Sequence, residues 1–329
     1  MAHNATILGG IAGTELTGSE RDFFRSADPW GFILFARNVE SPGQLRRLTG
    51  DLREAVGRDA VITVDQEGGR VQRLRAPHWT EWPAPLDQAP AGARAMWLRH
   101  YLIGCELREA GIDSDCAPTL DVAQPDTHPF LRNRCLGTDP QAVATLGRAA
   151  AEGLLAAGVL PVMKHMPGHG RAVADSHHGL PTVTADPADL DALDFAPFRA
   201  LNDLPMGMTA HIRFTALDEA PATSSARMIG LIRDRIGFDG LLMTDDITMN
   251  ALSGTEPERA AASIAAGCDL VLHCNGSIAG MEPVAAAAGP MSAAARRRAA
   301  AALARRRAPE QHDRAALLAE WRALTAAIA

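Results

Sequence analysis

The chain has 329 residues, with 32 Lys and Arg against 39 Asp and Glu, a formal net charge of −7. That acidic balance argues against a nucleic-acid binder, which needs basic surface to offset phosphate charge. The hydrophobic share of 47% and charged share of 22% exclude wholesale disorder. No uncharged apolar run reaches the roughly 18 residues that span a bilayer. The opening Met1-Ala2-His3-Asn4 lacks the charged-then-apolar layout of a signal peptide. Five scattered cysteines (Cys105, Cys116, Cys135, Cys268, Cys274) form no CxxC pair, so neither a disulfide framework nor a zinc knuckle is indicated. The expectation is a reduced, cytoplasmic protein.

Taken in order, short apolar runs alternate with helical patterns. Gly31–Phe35 reads as the first buried strand. Ser41-Pro42 supplies an N-cap and an N1 proline, and Leu45, Leu48, Leu52 and Val56 follow at helical spacing. Ala60–Asp65 is the next strand, and a Pro/Trp-rich connection leads to a helix over 91–111. Strand Cys116–Leu120 precedes a helix opened by Asp139-Pro140, and strand Leu160–Lys164 precedes, after a long loop, a helix over 189–202. Strands Met206–Ala210, Leu241–Asp245 and Leu270–His273 follow, the first two leading to helices over 225–236 and 256–267. The last leads to an alanine-rich tail.

Repeated β-then-α units with near-continuous apolar strands imply a parallel sheet covered by helices. Seven or so such units fit an α/β fold of the TIM-like (β/α) barrel type, read as a single domain over residues 1–329. A doubly wound sheet is the fallback, but the first βα turn carries no GxGxxG. In the tail, Arg296–Arg298 and Arg305–Arg307 alternate with alanines, which reads as an amphipathic helix with a solvated basic face.

Several strands end in polar residues that the apolar pattern does not require: Asp65, Lys164-His165, His211 and Asp245-Asp246. In a barrel all strand C-termini face one mouth, so these residues should converge there. Asp246 is expected to anchor the strand end, and His211 to shape the mouth without touching substrate. The stretch from Lys164 to His178 is the densest in polar residues. Within it Asp175 and His177 are close enough to pair, and a carboxylate beside an imidazole suits general acid/base work near neutral pH. His169 reads equally as a structural or a functional histidine, and His178 as a bystander.

These residues lie in recognisable segments: Val64-Asp65-Gln66-Glu67-Gly68-Gly69-Arg70-Val71-Gln72-Arg73, Lys164-His165-Met166-Pro167-Gly168-His169-Gly170, Ala174-Asp175-Ser176-His177, Pro221-Ala222-Thr223-Ser224-Ser225 and Thr244-Asp245-Asp246. In that order, from about residue 30 to about 275, the chain resembles glycoside hydrolase family 3, specifically its single-domain bacterial β-N-acetylglucosaminidases of the peptidoglycan-recycling type. The resemblance implies a barrel that works without cofactor or metal. It implies Asp245 as nucleophile and His177 as acid/base with Asp175 as its partner, on a mobile loop. Asp65, Arg73, Arg134, Lys164 and His165 match positions that hold the sugar's hydroxyls and N-acetyl group. The implied substrate is a small GlcNAc-containing muropeptide, with no nucleic-acid or membrane partner; the sequence leaves the oligomeric state open. The family commonly has an aromatic at Met166, and Arg-Ser-Phe-Gly where this chain has Arg134-Cys135-Leu136-Gly137.

Two rival readings stand beside this one. The histidines with Asp245 and Asp246 could ligate zinc in a metal-dependent barrel hydrolase. Against that, the first predicted strand ends Phe35-Ala36-Arg37-Asn38 rather than in an HxH pair. A glycoside phosphorylase on the same fold is the other, because a histidine acid/base tolerates an incoming anion.

Overall fold

The computed structural model describes residues 2–174, 176 and 179–326. Eight parallel strands close into a barrel: β1 (Asn4–Leu8), β2 (Pro29–Leu34), β3 (Val61–Val64), β4 (Ser114–Asp115), β5 (Leu160–Met166), β6 (Met206–Thr209), β7 (Leu241–Asp246) and β8 (Leu270–His273). Each strand pairs with its chain neighbours, and β1 closes the ring by pairing with both β2 and β8. The sequence reading missed β1 and the helix after it, Gly18–Ala27, and so took β2 for the first strand. The true first strand ends Leu8-Gly9-Gly10, which also carries no HxH pair. Five apolar-leaning residues at a chain end carry little periodic signal, and their strand character comes from pairing on both sides.

Most of the other elements follow the sequence closely. Ser41 caps the helix Pro42–Val56 through a reciprocal capping box with Gln44, and Asp139 caps Pro140–Ala156. Two expectations change. Beyond Asp115 the run to Leu120 leaves regular strand geometry, since Pro118 has no N–H to donate. Its hydrogen bonding to β5 nonetheless continues through Val162 N–H to Ala117 O, Lys164 N–H to Pro118 O and Leu120 N–H to Lys164 O. The helix expected over 189–202 is broken into Pro187–Asp189, a π-turn at Leu190–Asp194 and Ala196–Ala200, with Pro197 again removing a donor.

Strand alternation sorts the core into layers. Ile7, Ile33, Val61, Val162, Met208, Met243 and Leu272 belong to the cluster that fills the barrel. Their neighbours Phe32, Leu34, Ile62 and Val64 pack with the helices Pro42–Val56 and Gly92–Glu109, while Met163 and Leu242 pack with Pro140–Ala156 and Ala226–Asp234.

In the tail, Arg296, Arg297 and Arg307 are exposed, as a solvated face requires, but Arg298 and Arg306 turn to buried carboxylates. Asp113, fully buried at the start of β4, accepts Ile62 N–H at 2.8 Å and is gripped by Arg306, by Arg53 at 3.2 Å and by Arg108 at 3.9 Å. Asp269, at the start of β8, accepts Leu242 N–H at 3.0 Å and meets Arg233 at 2.7 Å and Arg298 at 3.1 Å. Two tail arginines therefore staple the N-terminal end of the barrel. Among the described residues no helix is long and apolar enough to cross a membrane.

Asp113→Ala should lower stability by about 3 kcal/mol, the lower part of the range for breaking a buried ion pair, because the arginines can turn to solvent. Urea unfolding measures this directly.

Candidate active site

The strand C-termini open on a cavity of about 480 Å³, within the range that takes a small ligand. Asp65, Arg73, Arg134, Lys164, His165 and Asp245 all line it, so six of the eight residues singled out from the sequence share one site. Asp175 and His177, together with His178, lie outside the described residues. Ser176, between them in sequence, is buried and lines the same cavity.

The cations arrive from separate elements and are held by two carboxylates. Lys164, near the end of β5, is buried; its Nζ lies 2.9 Å from Asp65 Oδ1 and 2.6 Å from Glu67 Oε1. Arg134 forms a bidentate pair with Glu67 at 2.8 and 2.9 Å. Arg73 Nη2 reaches Asp65 Oδ2 at 2.9 Å. Asp65 directly follows β3, while Glu67 and Arg73 sit on and just past a small hairpin, Gln66–Gly68 with Val71–Gln72. The Gln66 side chain ties the hairpin shut by accepting the N–H groups of Arg73 and Leu74.

This network fixes the charges. Burial alone would raise the Glu67 carboxyl, but Arg134 and Lys164 outweigh it and hold it at about 2. Asp65 is likewise driven below the usual carboxylate range by Lys164 and Arg73 against its burial. Lys164 stays charged because Asp65 and Glu67 overcome the cost of its burial. The result is a set of charged N–H donors, held by Asp65 and Glu67, along one side of the cavity.

Asp245 sits across the cavity near the end of β7. Its Oδ1 accepts Asp246 N–H at 2.8 Å. Burial works against its charge, but the neighbouring His165 and that backbone N–H keep it below its ordinary value, so it is an anion at neutral pH. Asp246 is an anchor, as expected: it accepts Thr248 N–H and Cys274 N–H through Oδ1 and the Thr248 hydroxyl through Oδ2. His211 is fully buried between the Thr223 hydroxyl at 2.7 Å and the Asp246 carbonyl at 3.0 Å, and it does not line the cavity. Burial lowers its pKa, so it is neutral. Among the described residues no three His, Cys, Asp or Glu side chains are grouped as metal ligands.

The other histidines divide. His165 donates from Nδ1 to Asp121 Oδ2 at 2.7 Å, and its Nε2 lies 3.4 Å from Arg134 Nη2. His169 also lines the cavity, edge-on to His165 and to Phe130. Burial and the neighbouring His165 push His169 down to about 4, so it is uncharged at neutral pH. The departures from the family pattern fall away from the cavity. Met166 packs beneath Gly207 in the helix-facing layer, and Cys135 and Leu136 are buried in apolar clusters; none lines the site.

Sequence reasoning missed Glu67, Asp121 and Phe35. Glu67 was visible as the second acid of the segment that begins at Asp65. Asp121 directly follows a predicted strand, so the strand-end rule that selected Asp65 would have selected it too. Phe35 lines the cavity between the guanidinium groups of Arg37 and Arg73, an arrangement with no local signature.

Replacing Glu67 by Gln should expose the dependence on this network. It leaves two buried cations short of a carboxylate, at a cost of about 3–5 kcal/mol in urea unfolding. The pH dependence has a definite sign. With its folded pKa at about 2 and an ordinary value of 4.5, Glu67 stabilises the fold fully above pH 4.5, and that contribution is lost as pH falls through about 2. Glu67→Gln should therefore flatten the acid side of the stability profile, read by circular dichroism from pH 6 to about pH 2.

Comparison with known proteins agrees with this geometry. Residues 26–302 match the model of the glycosyl hydrolase family 3 N terminal domain. A β-hexosaminidase from Bordetella avium is 40% identical over 277 residues, covering 80% of this chain and 79% of its own length. One from Alkalilimnicola ehrlichii is 40% identical over 283 residues, covering 82% and 80%. The crystal structure of NagZ from Neisseria gonorrhoeae in complex with N-trifluoroacetyl-D-glucosamine superposes with a TM-score of 0.83 at 29% identity, covering 100% of this chain and 98% of its own. The family 3 β-N-acetylglucosaminidase from Paenibacillus sp. gives a TM-score of 0.87 at 30% identity, covering 99% and 67%. A barrel mouth built from Asp65, Lys164, His165 and Asp245 and a family match across most of its length lead to one placement: the chain belongs to glycosyl hydrolase family 3, among its β-hexosaminidases.

Proposed function

We propose that this chain is a retaining exo-β-N-acetylglucosaminidase that removes non-reducing terminal GlcNAc from peptidoglycan-derived muropeptides by double displacement. The observation that carries the reading is the anionic Asp245 facing a fixed array of cationic donors across one cavity of monosaccharide scale. Glycosidic cleavage passes through an oxocarbenium-like state, which an ionised carboxylate on one face of the sugar stabilises. Lys164, Arg73 and Arg134 bind hydroxyl and carbonyl oxygens, with Asp65 as acceptor. The ligand named for the Neisseria gonorrhoeae structure, an N-acylated glucosamine, supports an N-acetyl sugar in this site.

In the first step a carboxylate oxygen of Asp245 bonds to the anomeric carbon as the bond to the leaving oxygen breaks. His177 gives that oxygen a proton. In the second, water attacks the anomeric carbon, His177 takes a proton from it, and the bond to Asp245 breaks. Two inversions give net retention. With Oδ1 bonded to Asp246 N–H, Oδ2 is the attacking oxygen. Asp175 orients the imidazole and supports its charged form. Both residues of this pair are assigned from the sequence match, and Ser176 between them supports a place at the cavity edge. The cysteines of this chain are unpaired, in keeping with a cytoplasmic setting for the activity.

Aryl β-GlcNAc should exceed aryl β-glucoside in kcat/KM by about 10⁴-fold, because a glucoside leaves the buried partners of the N-acetyl group unpaired. Comparable values for the two would overturn the sugar assignment. A 5-fluoro or 2-fluoro glycosyl donor should leave a glycosyl adduct on Asp245 by mass spectrometry, and Asp245→Ala should lose about 10⁴-fold or more in kcat. His177→Ala should harm poor leaving groups far more than activated phenolates, and an equal loss for both would remove it from the acid role.

A further inference from the structure

Asp121 is fully buried and carries no part in the chemistry set out above. It stands where the run after β4 turns outward, beside the end of β5. Its Oδ2 accepts His165 Nδ1–H at 2.7 Å, and its Oδ1 accepts His165 N–H at 3.3 Å and His169 N–H at 2.7 Å. One carboxylate thus holds a cavity side chain and the first residues of the loop that leads to Asp175 and His177.

The surrounding contacts make the second of these roles specific. Residues 169–172 lie on the segment that starts at Asp121. His128 N–H donates to Ala172 O at 3.1 Å, and the Thr127 hydroxyl donates to Gly170 O. Gly170 has no room for a side chain: a Cβ there would sit 1.9 Å from Val122 O. The base of the loop is therefore laid against the chain immediately after Asp121, and the Asp121–His169 bond is its first fixed point.

The charge state of Asp121 sets the protons. Burial would raise its carboxyl, but the bonded His165 outweighs this, so it is ionised and only accepts. His165 Nδ1 must then carry the hydrogen, which leaves Nε2 as the position that faces the cavity, beside Arg134. The contrast with His169 is direct. Among the described residues its ring has no carboxylate partner, and its buried Nδ1 has no hydrogen bond. Among the described residues, the titratable and charged groups that face Asp121 are His165 and His169 from β5 and its loop, Arg134 and Cys135 from the segment after Asn133, and Asp194 from the π-turn.

We infer that Asp121 is a positioning residue for the reaction: it fixes the Nδ1–H form of His165, so that Nε2 faces the sugar beside Asp245, and it pins the base of the loop that carries the proton donor. The inference rests on the proposed retaining mechanism. It adds a physical link between the sugar pocket and the acid/base loop through one side chain that touches neither substrate nor product.

Two measurements test it. In the wild-type protein, imidazole ¹⁵N spectra, with the His165 signals identified by their loss in His165→Gln, should show Nδ1 protonated. A His165 ring with bare Nδ1 and protonated Nε2 overturns the inference, whatever any variant does. In Asp121→Asn, kcat/KM should fall about 10-fold for a dinitrophenyl β-GlcNAc and about 100-fold for an unactivated GlcNAc disaccharide, since a displaced loop costs most where the leaving oxygen needs a proton. Equal losses on the two substrates, or no loss, would reduce Asp121 to a structural residue and overturn the loop half of the inference. If the variant does not fold, the wild-type nitrogen signals decide. A wild-type protein that cleaves neither substrate would fault the proposed function instead, because the nitrogen signals are read without turnover.

Discussion

A buried lysine must be paired, and the architecture of the barrel mouth follows from that requirement at Lys164. An ammonium group removed from water is tolerated only with carboxylates at hydrogen-bond distance. Asp65 and Glu67 meet this need, one from the end of β3 and one from the hairpin that follows it. Two carboxylates around one lysine leave one excess negative charge; Arg134, from a third segment, balances it, and Arg73, just past the Glu67 hairpin, leaves the cluster net positive. Together they leave cationic donors facing one cavity. The sugar-binding surface proposed for this chain is thus also the solution to a desolvation problem.

The two ends of the barrel use the same pairing of arginine with carboxylate for different ends. At the N-terminal end Asp113 and Asp269 each take a backbone N–H from a neighbouring strand and a cluster of arginines. Here each carboxylate is surrounded by its arginines, some of which also pair with Asp59 and Asp239. At the C-terminal end the network is left open on one side, toward the cavity and Asp245. Function on this fold is a matter of which end keeps its charges unsaturated, consistent with the general placing of sites at the C-terminal face of such barrels. Arg298 and Arg306 illustrate the point: read from the sequence as part of a solvated basic face, they become a structural clasp once Asp269 and Asp113 are in reach.

The histidines show how similar side chains are given different states by their surroundings. His211 is locked between a hydroxyl and a carbonyl and His169 lies against an aromatic ring, and burial keeps both neutral. His165 alone among these three faces the cavity with a carboxylate behind it. None of this could be read from spacing, because the partners Asp121, Thr223 and Phe130 come from other units of the barrel.

By itself the sequence determined the alternation of strand and helix, the caps at Ser41 and Asp139, and the family pattern that singled out Asp65, Lys164, His165 and Asp245. These are local signals: apolar periodicity, side chains that bond to nearby backbone, and short segments with fixed order. Tertiary structure alone decided the rest. It made a strand of Asn4–Leu8 by giving it two neighbours and turned Arg298 and Arg306 inward. It also brought Glu67 and Asp121 into the site. The physical reason is common to all of these: strand pairing and the neutralisation of buried charge are settled between residues far apart in the chain, and only closure of the barrel puts those partners within reach of one another.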